Sequence, residues 1–298
     1  MSQIFDALHQ SAAERTGDDL PNLRAAKELL QVVERNAGLS APLVEARQPA
    51  APQRVQPFPL VKAVPPAHSK LVCFTDPESL AAETFGFLAT RLRHIQQKRS
   101  LKCLVVTSCV SGEGKTMVAA NLACALAAGR QRVLLVEGDL RRPSLANQLG
   151  LRGLSGLCQM LRGEDDRLDN IYSLPNSDVS ILVAGDVHSS PLELMEPGRL
   201  SALIDRISDG FQWVVIDTPP VLPLADTSIW IRLADSILLV TRPGVTAKRQ
   251  LQRAMEGIEQ SKLIGCVLNA STEPSHNSYY YRYSARASGL RVSSSAPK

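Results

Sequence analysis

From residue 103 onward, short continuous apolar runs alternate with longer stretches of helical period. The runs are CLVVTS (103–108), QRVLLVEG (131–138), VSILVA (179–184), QWVVID (212–217), DSILLVT (235–241) and LIGCVLN (263–269). A strand that is apolar on both faces is one buried on both faces, so these runs predict a parallel sheet covered by helices. Apolar residues at helical spacing predict helices near 115–129, 155–162, 197–208, 226–233 and 246–260. Another, over 78–97 (SLAAETFGFLATRLRHIQQK), precedes the first strand. The core of this α/β domain is expected over 70–270.

The flanks read differently. Within residues 1–36, Ile4, Phe5 and Leu8 share one helical face and Leu23, Ala26, Leu29, Leu30 and Val33 share another, which predicts an N-terminal helical extension. Seven of the nineteen prolines fall between Pro42 and Pro66. Their missing N–H donors and restricted φ angles rule out a helix or central strand, so 37–69 is expected to be a Pro/Ala-rich linker. After Asn269 the periodicity stops, and the Ser- and Arg-rich stretch 271–298 is expected to be a disordered, flexible tail. Four of the five tyrosines, Tyr279, Tyr280, Tyr281 and Tyr283, lie in that tail.

Composition narrows the function classes. A formal charge of +4 over 298 residues is too small to argue for nucleic acid as a partner. The six cysteines contain no CxxC pair and read as reduced, mostly buried residues. No apolar run approaches the roughly 20 residues of a membrane-spanning helix. The start, MSQIFDALHQ, lacks the basic and apolar regions of a signal peptide. A soluble, cytoplasmic protein is expected.

The chemistry concentrates at strand ends. Residues 103–117, CLVVTSCVSGEGKTM, present a strand, a glycine-containing loop, Gly-Lys-Thr and a helix. Gly112 and Gly114 let backbone N–H groups turn inward, and the helix N-terminus adds positive potential. Lys115 is placed to reach the β- and γ-phosphates of a nucleotide, and Thr116 to ligate Mg²⁺. Ser111, Gly112, Glu113, Gly114, Lys115, Thr116 and Met117 form the candidate phosphate cradle. Cys109 stands where the strict GxxxxGK[ST] pattern has its first glycine. A second strand ends in VLLVEGDLRRPSL, which brings Glu137 and Asp139 to its carboxyl edge, and a third ends in WVVIDTPP with Asp217. Ligands of parallel α/β sheets bind at that edge. Carboxylates there suit a hydrated Mg²⁺ and can accept a proton from an attacking hydroxyl. The expected fold is therefore a P-loop NTPase-like, mostly parallel sheet with helices on both faces.

VTSCVSGEGKT, LLVEGDLRRPSL and VVIDTPPVLPLADT together resemble the Walker A, Walker A′ and Walker B motifs of bacterial tyrosine kinases, the BY-kinases of capsule and exopolysaccharide synthesis. These are a deviant-Walker branch related to the MinD and ParA ATPases. The resemblance implies an ATP- and Mg²⁺-dependent kinase that phosphorylates its own C-terminal tyrosines, here Tyr279, Tyr280, Tyr281 and Tyr283. It implies that Asp217 and Asp139 join Thr116 at Mg²⁺, with Asp139 also near the incoming phenol, and that Glu137 takes the place of the candidate general base. Arg141 matches the arginine of the family's Walker A′ pattern, and Asn269 the asparagine at the adenine edge. Asp226 and Arg242 match further family positions.

The resemblance also implies partners. They are a membrane-bound polysaccharide co-polymerase that activates the kinase, a cognate tyrosine phosphatase and further copies of the chain. Through such an activator the protein would sit peripherally at the inner membrane.

The chain departs from the family in three places. Ser111 replaces a common proline, and Glu137 replaces an aspartate. The family's assembly helix carries Glu with two arginines at three-residue steps, whereas this chain has Glu83, Gly86 and Ala89. Two other readings stay open. A MinD/ParA-type switch ATPase would carry a lysine five positions before Lys115, where this chain has Val110. A catalytically degenerate scaffold for polysaccharide export would explain Glu137 and the altered helix.

Overall fold

Both sides of the apolar runs find cover. The computed structural model describes residues 58–66, 69–163, 168–187, 190–222 and 225–270. Helices α1 (Val72–Thr75) and α2 (Leu80–Lys98) lead into β1 (Cys103–Ser108), α3 (Lys115–Ala127), β2 (Val133–Glu137) and α4 (Leu145–Gln148). Next come α5 (Leu157–Arg162), β3 (Tyr172–Ser173), β4 (Val179–Leu182), α6 (Pro191–Leu194) and α7 (Pro197–Ser208). The chain continues with β5 (Trp213–Asp217), α8 (Ala225–Leu233), β6 (Ser236–Thr241), α9 (Lys248–Glu256), a 3₁₀ turn at Gln260–Lys262 and β7 (Leu263–Leu268).

Among the described residues the strands form one sheet in the order β3-β4-β2-β5-β1-β6-β7. Every pairing is parallel except β3 with β4. All residues of β1, β2, β5 and β6 are buried, which is why their sequences are apolar runs rather than alternations. One core packs α1, α2 and α3 against one face, through Leu92, Leu122 and Trp213. The other packs α5, α7 and α8 against the opposite face, through Leu161, Leu200 and Trp230. Helix α3 is buried nearly all round, and its small residues (VAANLACALA) let it lie close to the sheet.

The predicted strands and helices recur with boundaries shifted by a few residues. Strand β3, helices α1, α4 and α6 and the 3₁₀ turn were not foreseen, because two to four residues are too few to display a period. The helices expected in 1–36 and the tail 271–298 lie outside the described residues.

Residues 58–66, which composition places in the linker, run along the sheet edge. Phe58 stacks on Phe211 with ring centroids 5.8 Å apart. The Val61 N–H donates to the Ser173 carbonyl at 3.0 Å, the Ser173 N–H to the Pro59 carbonyl at 2.9 Å, and the Val64 N–H to the Leu149 carbonyl at 2.9 Å. Proline is tolerated at an edge because its carbonyl still accepts while its missing donor is not needed there.

Helix α5 shows how closely a helix start is set on a strand end. The Leu157 and Cys158 N–H groups donate to the carbonyls of Val183 and Ala184 at 2.8 and 3.0 Å. A Cβ on Gly156 would lie 2.0 Å from the Val183 oxygen, so no side chain fits without parting them. Gly156→Ala is therefore expected to destabilise the fold by about 2–4 kcal/mol in chemical denaturation.

Candidate functional site

The loop between β1 and α3 owes its shape to two glycines, Gly112 with φ +87° and Gly114 with φ +89°. Both lie in the left-handed region that L side chains avoid. Gly114 also caps α3, and a Cβ there would meet the Asn269 side chain at 2.2 Å. Cys109 needs no such freedom. Among the described residues, the non-glycine positions with positive φ are Arg130, Asn176 and Ala270. Cys109 instead points into the core, fully buried, where burial pushes its thiol up to about 12. That accounts for the missing first glycine. Ser111 is exposed on the loop, and Met117 is half-buried on α3.

Register brings the acids together. Strand β2 pairs with β5 so that Glu137 stands opposite Asp217. The turn that carries Asp139 is held by the Gly138 N–H, which donates to the Asp217 carbonyl at 2.7 Å. It is also held by the Trp230 indole, which donates to the Gly138 carbonyl at 3.1 Å. Lys115 Nζ then sits 2.9 Å from Asp139 Oδ2 and 3.7 Å from Asp217 Oδ1. Burial works against its charge, yet Asp217 and Asp139 together hold its pKa above the ordinary lysine value.

Asp217 is fully buried, and neither carboxylate oxygen has a partner at full hydrogen-bond geometry. Lys115 at 3.7 Å and the nearby Thr116 hydroxyl compensate it only in part. Burial pushes its pKa up to about 6, against the opposing pull of Lys115. An orphaned buried carboxylate is costly unless something charged completes it. The Thr116 hydroxyl is close by, 3.3 Å from the Ser144 hydroxyl. These are hard oxygen donors, and Mg²⁺ takes one or two such groups together with phosphate and water. Among the described residues no three His, Cys, Asp or Glu side chains gather as a metal cluster.

Glu137 and Arg141 are committed elsewhere. Glu137 Oε1 accepts from the Leu145 N–H at 2.6 Å and Oε2 from the Ala184 N–H at 2.9 Å, in a nearly sealed position. Burial raises its pKa, and the backbone amides oppose that shift. The longer side chain thus reaches past the nucleotide side to anchor α4 against β4. Arg141 makes a two-pronged pair with buried Asp226, at 2.5 Å from Nε and 3.1 Å from Nη2.

Asn269 and Arg242 both come to the phosphate loop. Asn269 Nδ2 donates to the Glu113 carbonyl at 2.8 Å and Arg242 Nη1 to the Gly112 carbonyl at 3.4 Å. The four tail tyrosines lie outside the described residues. Sequence reasoning passed over Ser144 and Thr246, since a single hydroxyl in a loop carries no period or motif. Their spacing in space is the only signal that finds them.

Comparison with known proteins agrees with this geometry. The family described as AAA domain matches residues 101–268. Tyrosine-protein kinase YwqD of Bacillus subtilis is 30% identical over 213 residues, covering 71% of this chain and 90% of that protein. The putative tyrosine-protein kinase CapB of Staphylococcus aureus is 26% identical over 217 residues, 72% of this chain and 95% of its own length. The solved kinase domain of the Escherichia coli tyrosine kinase ETK superposes with a TM-score of 0.64 at 25% identity, covering 87% of this chain and 99% of that domain.

Proposed function

Since the chain belongs to the bacterial tyrosine-kinase family of P-loop ATPases, we propose that it transfers the γ-phosphoryl group of ATP to Tyr279, Tyr280, Tyr281 and Tyr283 of its own kind. The observation that carries this reading is the convergence of Lys115, Asp139 and the orphaned Asp217 beside the Thr116 and Ser144 hydroxyls. Lys115 would hold the β- and γ-phosphates, and Thr116 and Asp217, with Asp139 beside them, would hold Mg²⁺. When bound, that ion neutralises charge on the phosphates.

The phenolic oxygen attacks the γ-phosphorus while the bond to the β–γ bridging oxygen breaks and ADP leaves. A phenol with a pKa of about 10 needs a base close by. Asp139 suits the proton better than Glu137 because its Oδ2 lies 2.9 Å from Lys115 Nζ, on the side where that lysine would meet the phosphates, although its Oδ1 also accepts the Arg142 N–H. Both Glu137 oxygens are turned to the Leu145 and Ala184 amides instead. Glu137 then shapes the loop, and Arg141 orients it through Asp226.

The chain's place in exopolysaccharide or capsule production, its activation by a polysaccharide co-polymerase at the inner membrane and its reversal by a tyrosine phosphatase belong to the same proposal. No helix among the described residues is long and apolar enough to cross a membrane. Copies of the chain would associate through a surface other than the family's Glu–Arg–Arg helix. Glu83 is exposed, Gly86 has no side chain to offer and Ala89 is fully buried. Arg93 on the same helix caps α3 of its own chain, donating to the Ala125 and Leu126 carbonyls at 2.8 and 3.0 Å.

The test is incubation of the purified chain with ATP and Mg²⁺, followed by phosphosite mapping by mass spectrometry. Phosphotyrosine is expected at 279–283 and is lost when all four tyrosines become phenylalanine. Phosphate release with an unmodified tail would identify a switch ATPase instead, and neither product would leave a scaffold.

A further inference from the structure

Glu113 is an odd residue to find in a phosphate-binding loop. It is fully buried, an acidic side chain within the loop read as a polyphosphate cradle. Its partners explain it. Oε2 accepts the N–H of Val110, from the same loop, at 2.8 Å, and Oε1 accepts the hydroxyl of Thr246, from the loop after β6. The Thr246 oxygen in turn accepts the Arg242 N–H at 3.0 Å. The two partners reach the acid from different segments, so this one side chain ties the loop to the stretch after β6.

The outer side of the loop is tied at two further points. Its Gly112 and Glu113 carbonyls receive Arg242 Nη1 and Asn269 Nδ2. In a planar trans peptide the carbonyl and the following N–H point opposite ways. Holding those two carbonyls toward Arg242 and Asn269 therefore turns the N–H groups of Glu113 and Gly114 to the other side of the loop.

We propose that Glu113 and Thr246 form a clasp that orients the loop amides for a polyphosphate, with Arg242 and Asn269 acting in it as positioning residues. The clasp rests on the reading of this loop as the ATP-phosphate site. It differs from a base-recognition role for the same residues, because it acts on ligands that have no base.

The experiment compares the affinity of the full chain for Mg²⁺–ATP and for Mg²⁺–tripolyphosphate, each by displacement of a fluorescent ATP analogue. Thr246→Val leaves a buried carboxylate oxygen and the Arg242 N–H unpaired. It is expected to weaken both probes by about tenfold or more, and to equal extents. Thr246→Ser, which restores the hydroxyl, is expected to recover both affinities. Glu113→Met keeps a similar length but removes both acceptors and is expected to repeat the paired loss; it decides the matter should Thr246→Val fail to fold.

A loss confined to ATP overturns the clasp in favour of base recognition. A lowered melting temperature with both affinities unchanged overturns it in favour of a purely structural bond. A wild-type chain that binds neither probe instead overturns the phosphate-site reading itself.

Discussion

Lys115→Met is expected to lower tail phosphorylation by at least about a hundredfold, because the variant loses the cation that pairs with Asp139 and Asp217 and that the proposed mechanism sets on the phosphates. Side chains of similar length make this a test of charge rather than shape. The same variant is expected to show a pH signature without any nucleotide. In the wild-type protein Lys115 offsets Asp139 and Asp217, whose carboxylates lie within 2.9 and 3.7 Å of its ammonium group. Without it Asp217 is left buried and uncompensated, so its pKa rises further above the ordinary aspartate range.

A carboxyl whose folded pKa is raised contributes stability that is present below its unfolded pKa and lost as pH rises through the folded one. Lys115→Met is therefore expected to melt lower than wild type at pH 7, and the gap is expected to narrow on acidification as Asp217 takes up its proton. Thermal melts of both proteins in chelator across pH 5–8 check this. A gap that is flat with pH would mean that Lys115 does not compensate Asp217.

Asp217→Asn is expected to separate stability from activity. Burial, as the main cause, pushes the Asp217 pKa in the fold up from the ordinary 3.8 to about 6. At about 1.4 kcal/mol per unit, holding this carboxylate ionised costs up to about 3 kcal/mol. Below about pH 4 the group is protonated in both folded and unfolded chains and costs nothing. The cost develops as pH rises toward 6 and is level above that. An asparagine imitates the protonated form, so the metal-free variant is expected to match wild type near pH 4 and to exceed it above pH 6. Urea denaturation in chelator at the two pH values reads this directly. Mg²⁺-dependent phosphorylation is expected to fall by about a hundredfold or more in the same variant. A variant less stable than wild type at pH 7 would mean that Asp217 is better solvated than its burial implies. On the proposed reading, the site keeps a destabilising charge because a metal ion would complete it.

Much of this was legible along the chain. The apolar runs marked the long buried strands, because a strand covered on both faces leaves no polar position to break the pattern. The phosphate loop was legible because Gly112, Gly114, Lys115 and Thr116 meet local demands of backbone and ligand within a few residues. Glu137 and Arg141 were legible as parts of a motif but not in their bonding. Whether a carboxylate faces a nucleotide or a pair of backbone amides depends on where β4 and α4 lie, and nothing near residue 137 records that. The strap at 58–66 was hidden by its prolines, which forbid a central strand but not an edge.

By itself the sequence determined the alternation of buried strands and helices, the glycines that shape the loop and the identities of the charged groups. Those follow from local steric and hydrophobic constraints, which act over a few residues. Only the tertiary structure decided which of those groups meet. The pairing of β2 with β5 sets Glu137 opposite Asp217, and the neighbouring β1–α3 loop brings Lys115 between Asp139 and Asp217. The return of the chain through β6 and β7 carries Arg242, Thr246 and Asn269 to the loop that they hold. Electrostatic and hydrogen-bond energies depend on distance in space, and the packing of the sheet, not the spacing along the chain, sets that distance.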